Sequence, residues 1–187
     1  MQKAMNVSDF RICELLVPSF CASVGDYVGI KTSAMTGDIW EELVLSLGGF
    51  LPRSEVMLSG KVGLCIPLMV DFHEPAVCKS AALAIQEHRF LLPGNSILSG
   101  LEGKGKPIGD GLAFRTLALV ASAMHDECNI VLVSSDGLDP LGVKELNMTL
   151  RLNAKKALVV HFYDNEFASS IENIAAFSRV VVPLSVR

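Results

Sequence analysis

Two apolar runs in the last third of the chain restrict its fold more than any other feature. Asn129-Ile130-Val131-Leu132-Val133 and Ala157-Leu158-Val159-Val160-His161-Phe162 are almost continuously apolar and rich in β-branched residues. Such runs suit strands buried on both faces, the condition of a parallel sheet covered by helices. Between them, Pro140 to Asn153 has the length and pattern of a crossover helix. A polar turn follows each run: Ser134-Ser135-Asp136-Gly137 after the first, Tyr163-Asp164-Asn165-Glu166 after the second. In an open α/β sheet, residues just past the carboxyl ends of adjacent parallel strands share one crevice. Asp136 and Asn165, 29 positions apart, are therefore placed to meet at one point. A carboxylate and a carboxamide oxygen there suit a hard cation such as magnesium, which commonly carries a phosphate group with it.

The rest of the chain reads as strand and helix in alternation. Phe10 to Phe20 is predicted helical until Pro18 interrupts it, and the Gly-, Ser- and Thr-rich stretch Ser23 to Gly37 is predicted to be loop. Asp38 to Leu47 is a predicted helix with Asp38 as N-cap, stopped by Gly48-Gly49, and its Trp40, Leu43, Val44 and Leu47 form one apolar face. Lys61 to Asp71 is a predicted strand, in which Pro67 demands an edge position or an irregularity. Glu74 to His88 is a predicted helix with Pro75 in its first turn, Phe90 to Ile108 is irregular, and Gly111 to Asp126 is a helix of small and branched apolar residues. A helix from Phe167 to Phe177 and a strand from Arg179 to Leu184 close the pattern. The expected fold is one α/β domain over residues 1–187, a three-layer α/β/α arrangement around a mainly parallel sheet.

Composition narrows the partners. Half of the residues are apolar, yet the longest apolar stretches, Val62 to Val70 and Val180 to Leu184, are strand-sized, so no membrane span is expected. The apolar excess points instead to a two-sided sheet and a subunit interface, either in a homo-oligomer or with a second chain. A net charge of −4 argues against nucleic acid. Met1 to Asp9 lacks a signal-peptide pattern. Cys13, Cys21, Cys65, Cys78 and Cys128 are odd in number and scattered, as expected of reduced core thiols in a cytoplasmic protein.

The segment Ser135-Asp136-Gly137 followed by Asp164-Asn165 resembles the signature of thiamine-diphosphate-binding domains of the transketolase, deoxyxylulose-phosphate synthase and 2-oxoacid dehydrogenase group. Gly142 falls where transketolases carry a glycine, and Asp164-Asn165-Glu166-Phe167 is similar to the corresponding turn. The likeness covers Ile108 to Leu184, and Ser135 replaces the first glycine of the turn. It implies that magnesium binds the side chains of Asp136 and Asn165 and the main-chain oxygen of Phe167, and that Ser135, Asp136, Gly137, Asn165 and Phe167 hold the cofactor diphosphate. It implies a transferase or lyase subunit that needs a partner, because the chain is too short to hold the aminopyrimidine-binding domain as well. His73, in a turn beside Glu74, is the one candidate for the family's catalytic histidine.

Other readings stand beside this one. The chain fits a non-catalytic assembly or regulatory module of the same fold. It also fits a small enzyme that takes a phosphorylated ligand at Gly100 to Gly111, whose backbone amides, with Lys104 and Lys106, suit an anion. That loop lacks the Gly-Lys-Ser/Thr ending of a nucleotide-hydrolysing P-loop. Its Gly109-Asp110-Gly111 is not preceded by an apolar strand, so Asp110 is expected near a helix cap. The turn at Asp136 equally suits an ordinary βα connection in which Asp136 or Asp139 caps the next helix. His161, inside a strand, is expected to be a satisfied core histidine, and His88 and His125 sit at helix C-termini.

Overall fold

The computed structural model describes residues 3–32, 35–102 and 111–163, together with the backbone of 180–181 and 185–186. Its centre is a parallel sheet of five strands in the order β10-β5-β9-β8-β7. These are β5 (Tyr27–Lys31), β7 (Val62–Cys65), β8 (Ile130–Ser134), β9 (Leu158–Tyr163) and β10 (Val180–Val181). Every pairing within it is parallel. Two small antiparallel sheets flank it. One joins β4 (Phe20–Ser23), β1 (Lys3–Val7) and β6 (Val56–Leu58), and the other joins β11 (Ser185–Val186), β3 (Leu15–Val17) and β2 (Phe10–Ile12).

The chain leaves β5 through helix α1 (Gly37–Leu47), passes over two strand positions to β7, and then winds back. Helices α2 (Glu74–Gln86) and α3 (Leu112–His125) carry it from β7 to β8, and α4 (Pro140–Leu152) carries it from β8 to β9, which lands beside β5. Right-handed crossovers taken in opposite directions put their helices on opposite faces. The side chains sort accordingly, with the two-residue period of a strand. Tyr27, Cys65, Val131, Val133 and Val159 pack with α2, α3 and α4. Val28, Ile30, Ile130, Leu132, Leu158, Val160 and Phe162 pack with α1 and the antiparallel strands. Every residue of β8 is buried. The mainly parallel α/β fold is as expected, except that the second outer layer is part helix and part antiparallel strand.

The local elements are met unevenly. Helices α1 to α4 fall where the pattern put them, and Leu43, Val44 and Leu47 of α1 are fully buried. The N-cap position of α1 is Thr36 rather than Asp38, and that of α3 is Gly111; Asp110 lies outside the described residues. The predicted helix at Phe10 to Phe20 is instead β2 and β3, an antiparallel pair that turns at Cys13, whose φ is 52°. The predicted loop from Ser23 to Gly37 contains β5, a central strand. Strand β7 ends at Cys65, before Pro67, and it is an edge strand. The predicted helix Phe167 to Phe177 lies outside the described residues. Only Cys65 and Cys128 are buried; Cys78 and Cys21 are half-buried and Cys13 is exposed, and none of the five is in a disulfide.

The connection after α2 is fastened to α4 by two side chains. Asn153, 2 % exposed, donates to the Leu91 and Thr149 carbonyls at 2.9 and 2.8 Å and accepts from the Leu91 amide at 2.9 Å. Glu145 accepts from the Ser96 hydroxyl at 2.6 Å and the Ile97 amide at 2.8 Å. Asn153→Ala removes the side-chain partners of the Leu91 amide and carbonyl, at about 0.5–1.5 kcal/mol for each hydrogen bond lost. Urea unfolding of the variant is expected to show a lowered midpoint with an unchanged slope.

Candidate functional site

Strand register brings three chain segments to one point. Lys31 is opposite Tyr163 in the β5–β9 ladder, and Ser134 is opposite Phe162 in the β8–β9 ladder. One residue further on, Thr32 and the turn after β8 therefore flank the end of β9. The Thr32 amide donates to the Tyr163 carbonyl at 2.8 Å. The Thr32 hydroxyl lies 2.9 Å from Asp136 Oδ2 and 2.9 Å from that same carbonyl, so one proton faces two acceptors. Oδ1 of Asp136 is also buried. The result is a carboxylate and a hydroxyl held together at the carboxyl end of a parallel sheet, where α/β proteins bind ligands.

The turn is built by its own backbone. Ser135, 1 % exposed, donates its amide to the Phe162 carbonyl at 3.0 Å and so extends the β8–β9 ladder by one residue. The Asp136 amide donates to Ser134 Oγ at 3.1 Å, and the Leu138 amide donates to the Ser135 carbonyl at 3.1 Å. Gly137 has φ of 79°, a left-handed conformation that favours glycine. Asp139 is the N-cap of α4 and accepts from the Gly142 amide at 2.6 Å. Of the two capping candidates in this turn, Asp139 does the capping, which leaves Asp136 facing Thr32.

Of the other expected site residues, the structure describes His73 alone. Asn165 and Phe167 lie outside the described residues, as do Lys104 and Lys106 of the proposed anion loop. His73 stands at the N-cap position of α2, 75 % exposed, with its Nε2 2.9 Å from an Asp71 carboxylate that is 84 % exposed. It is exposed at a helix end and paired with an exposed carboxylate. Among the described residues no cluster of three or more His, Cys, Asp and Glu side chains is arranged to hold a metal ion. Thr32 is the residue that the sequence analysis missed. Its signal was the run Tyr27-Val28-Gly29-Ile30, apolar but interrupted by a glycine.

That glycine serves a buried polar group on the other side of the sheet. A Cβ at Gly29 would stand 3.1 Å from the Tyr163 ring and 3.3 Å from the Tyr27 ring, so the two phenols occupy its place. The Tyr27 hydroxyl meets His161 Nδ1 at 2.7 Å, and the Tyr163 ring packs edge-on to the imidazole. His161 is fully buried, and its Nε2 has no hydrogen-bond partner. The expectation of a satisfied core histidine is half met. Burial pushes the imidazole down to about 3 from the ordinary 6.5, and burial, with Tyr163 beside it, pushes the Tyr27 phenol up. Both groups stay neutral at physiological pH. With the phenol donating to Nδ1, the imidazole proton sits on Nε2.

No protein-family model matches the chain, and no curated protein does. Solved structures do. A protein described as a metal-chelate type ABC transporter, captured in an inward-facing conformation, is similar with a TM-score of 0.64 at 15% identity. That match covers 99% of this chain and 80% of the other. The cbiO1 protein of Clostridium perfringens, part of the ABC transporter complex cbiONQ, is similar with a TM-score of 0.61 at 13% identity, over 99% of this chain and 86% of the other. At such identity the likeness is one of fold.

It overturns the resemblance to thiamine-diphosphate enzymes. The neighbours are ABC transporter components, not transketolase-like domains, so thiamine diphosphate as cofactor, the transketolase-like activity and the aminopyrimidine-binding partner are all withdrawn. The physical reason is that a strand, a turn and an aspartate before a glycine form a local pattern. It arises at the carboxyl end of many parallel strands, whatever the strand order. Both neighbours belong by their titles to transporters or transporter complexes, which agrees with the expectation of partner chains. Among the described residues no helix is long and apolar enough to cross a membrane.

The buried imidazole carries a prediction with a definite sign. The unfolded chain protonates His161 near pH 6.5, whereas the folded chain does so only near pH 3. Between those values the unfolded state binds the extra proton, so stability falls as pH is lowered through that window, by about 1.4 kcal/mol per pH unit at most. Replacing the pair together, Tyr27→Phe with His161→Phe, is expected to flatten this dependence. Chemical unfolding of both proteins at pH 7 and pH 5 measures the difference.

Proposed function

We propose that this chain is a nucleotide-binding module of ABC-transporter type that holds a magnesium–nucleotide weakly and does not hydrolyse it. It works as one α/β unit, in the cytoplasm, as part of a multi-chain assembly. One observation carries the reading: Thr32, in the turn from β5 to α1, lies 2.9 Å from Asp136 beyond β8. P-loop nucleotide enzymes place magnesium between a Ser or Thr of the loop that joins such a strand to its helix and an Asp at such a strand end. A hydroxyl and a carboxylate fit that ion, which takes oxygen ligands and leaves its remaining positions to water and phosphate.

The phosphate cradle does not fit as well. A P-loop runs strand, G-x-x-x-x-G-K-[ST], helix, with the lysine reaching the β- and γ-phosphates. Here the connection reads Gly29-Ile30-Lys31-Thr32-Ser33-Ala34-Met35-Thr36-Gly37-Asp38, with no Gly-Lys-Ser/Thr. Lys31 precedes Thr32, but it ends β5 rather than standing on a glycine-rich loop, so the charge compensation on which phosphoryl transfer mainly depends is reduced. Ser134 and Ser135, which precede Asp136, are not bases at neutral pH. Binding without turnover follows. The assembly role draws on the complexes named for the similar structures, and five cysteines that form no disulfide suit a reducing compartment.

Calorimetric titration with magnesium–ATP tests this. Weak binding is expected, with Kd on the order of 0.1–1 mM. Thr32→Val and Asp136→Asn are each expected to abolish it, and phosphate release should not exceed the buffer blank. Binding that survives both substitutions would put the site elsewhere. Turnover in the range of working ATPases would refute the reduced site, and no binding at all would leave the likeness as one of fold only.

A further inference from the structure

The outer face of α4 differs chemically from the chain that carries it. Leu141, Met148 and Leu152 are 76 %, 42 % and 46 % exposed, and their spacings of seven and four residues place them on one side of the helix. Lys144, Arg151 and Lys155 are exposed on the same stretch. The only acid between Leu141 and Lys155 is Glu145, and it is bonded inward to Ser96 and Ile97. A protein of net charge −4 thus displays an apolar stripe with Lys144 and Arg151 along one edge and Lys155 just past its end. Beside the stripe lies a concavity of about 390 Å³, walled by Pro93 and Gly94 on one side and Met148, Arg151 and Leu152 on the other. Its two walls are tied together by the Asn153 bonds to Leu91 and the Glu145 bonds to Ser96 and Ile97, so the groove is preformed.

We propose that α4 and the Pro93–Gly94 turn form a docking groove for an acidic amphipathic helix of a partner protein. Charge complementarity selects the occupant: a helix with apolar residues on one side and Asp or Glu beside them meets both the stripe and its cationic edge. A second copy of this chain docked through the same face would set Lys144, Arg151 and Lys155 against themselves, because a two-fold contact is self-complementary. A bilayer surface would meet the cations but would not fill the concavity, whereas a single side chain projecting from a helix does. The groove is separate from the Thr32–Asp136 crevice, so it stands or falls independently of nucleotide binding.

The probe is a fluorescently labelled peptide of roughly 18 residues, about five helical turns, with leucine on one face and glutamate elsewhere. Anisotropy titration with the whole chain is expected to show saturable binding that weakens as salt is raised. Leu152→Glu and, separately, Arg151→Glu are each expected to weaken it by about tenfold or more. The same peptide with lysine in place of every glutamate is expected not to bind. Both substituted positions are exposed, and an unchanged melting temperature confirms that the variants are folded. Equal binding of the two peptides, or acidic-peptide binding indifferent to both substitutions, overturns the proposal. So does co-sedimentation of the unmodified chain with phosphatidylserine vesicles that Leu152→Glu abolishes, which would assign the face to lipid. A concentration-dependent dimer that dissociates in Leu152→Glu would assign it to a second copy and overturn the proposal as well.

Discussion

The β8–β9 ladder, with Ile130 to Ser134 set against Leu158 to Phe162, positions everything around it. All of β8, and all of β9 but its last residue, is buried. Alternate side chains feed two different cores, Val131, Val133 and Val159 on one face and Ile130, Leu132, Leu158, Val160 and Phe162 on the other. A slip of one residue would exchange the two sets, so the register is strongly specified. That register also sets how far each strand end projects. Thr32 and Asp136 meet because β5 and β8 both pair with β9 at matched height, not because either residue selects the other.

In the proposed reading, the crevice at those strand ends offers a magnesium ion one hydroxyl and one carboxylate. The turn after β8 is rigid: its amides are taken up by Ser134 Oγ and the Ser135 and Phe162 carbonyls, and Asp139 is committed to α4. What the β5–α1 connection lacks is the Gly-Lys-Ser/Thr ending of a P-loop, although Lys31 precedes Thr32. Such a difference bears on chemistry far more than on the fold. The helix, the strand and the hydrogen bonds between them depend on backbone pairing and apolar packing, whereas hydrolysis depends on a few placed charges.

The Tyr27–His161 pair has a different standing. It is buried in the sheet and keeps one imidazole nitrogen unmatched, a cost that a phenylalanine or leucine there would not impose. It adjoins Tyr163, whose carbonyl also receives Thr32. The two polar networks of this sheet are thus joined through the end of β9, one facing the helices and one facing the crevice.

The sequence by itself determined the parallel strands β8 and β9 and the helices α1 to α4, and it narrowed the cap of α4 to Asp136 or Asp139. In each, a local period of two or 3.6 residues coincides with a stop signal such as Gly48-Gly49 or Asp139-Pro140. It did not disclose β2 and β3. In Leu15-Leu16-Val17 every position is apolar, so the alternation that marks a half-buried strand is masked, and three residues are too few to separate strand from helix. Strand β5 was hidden for a related reason: Gly29 reads as loop, yet it is there because two tyrosine rings need its space, and one of them lies 134 residues further on in the chain. The misassigned family has the same origin. Ser135-Asp136-Gly137 identifies a strand end, but the partner that gives Asp136 its setting is Thr32, and only the order β5-β9-β8 brings the two together. Strand order comes from long-range pairing, which leaves no periodic trace in a single sequence, so tertiary structure alone decided which residues share the crevice.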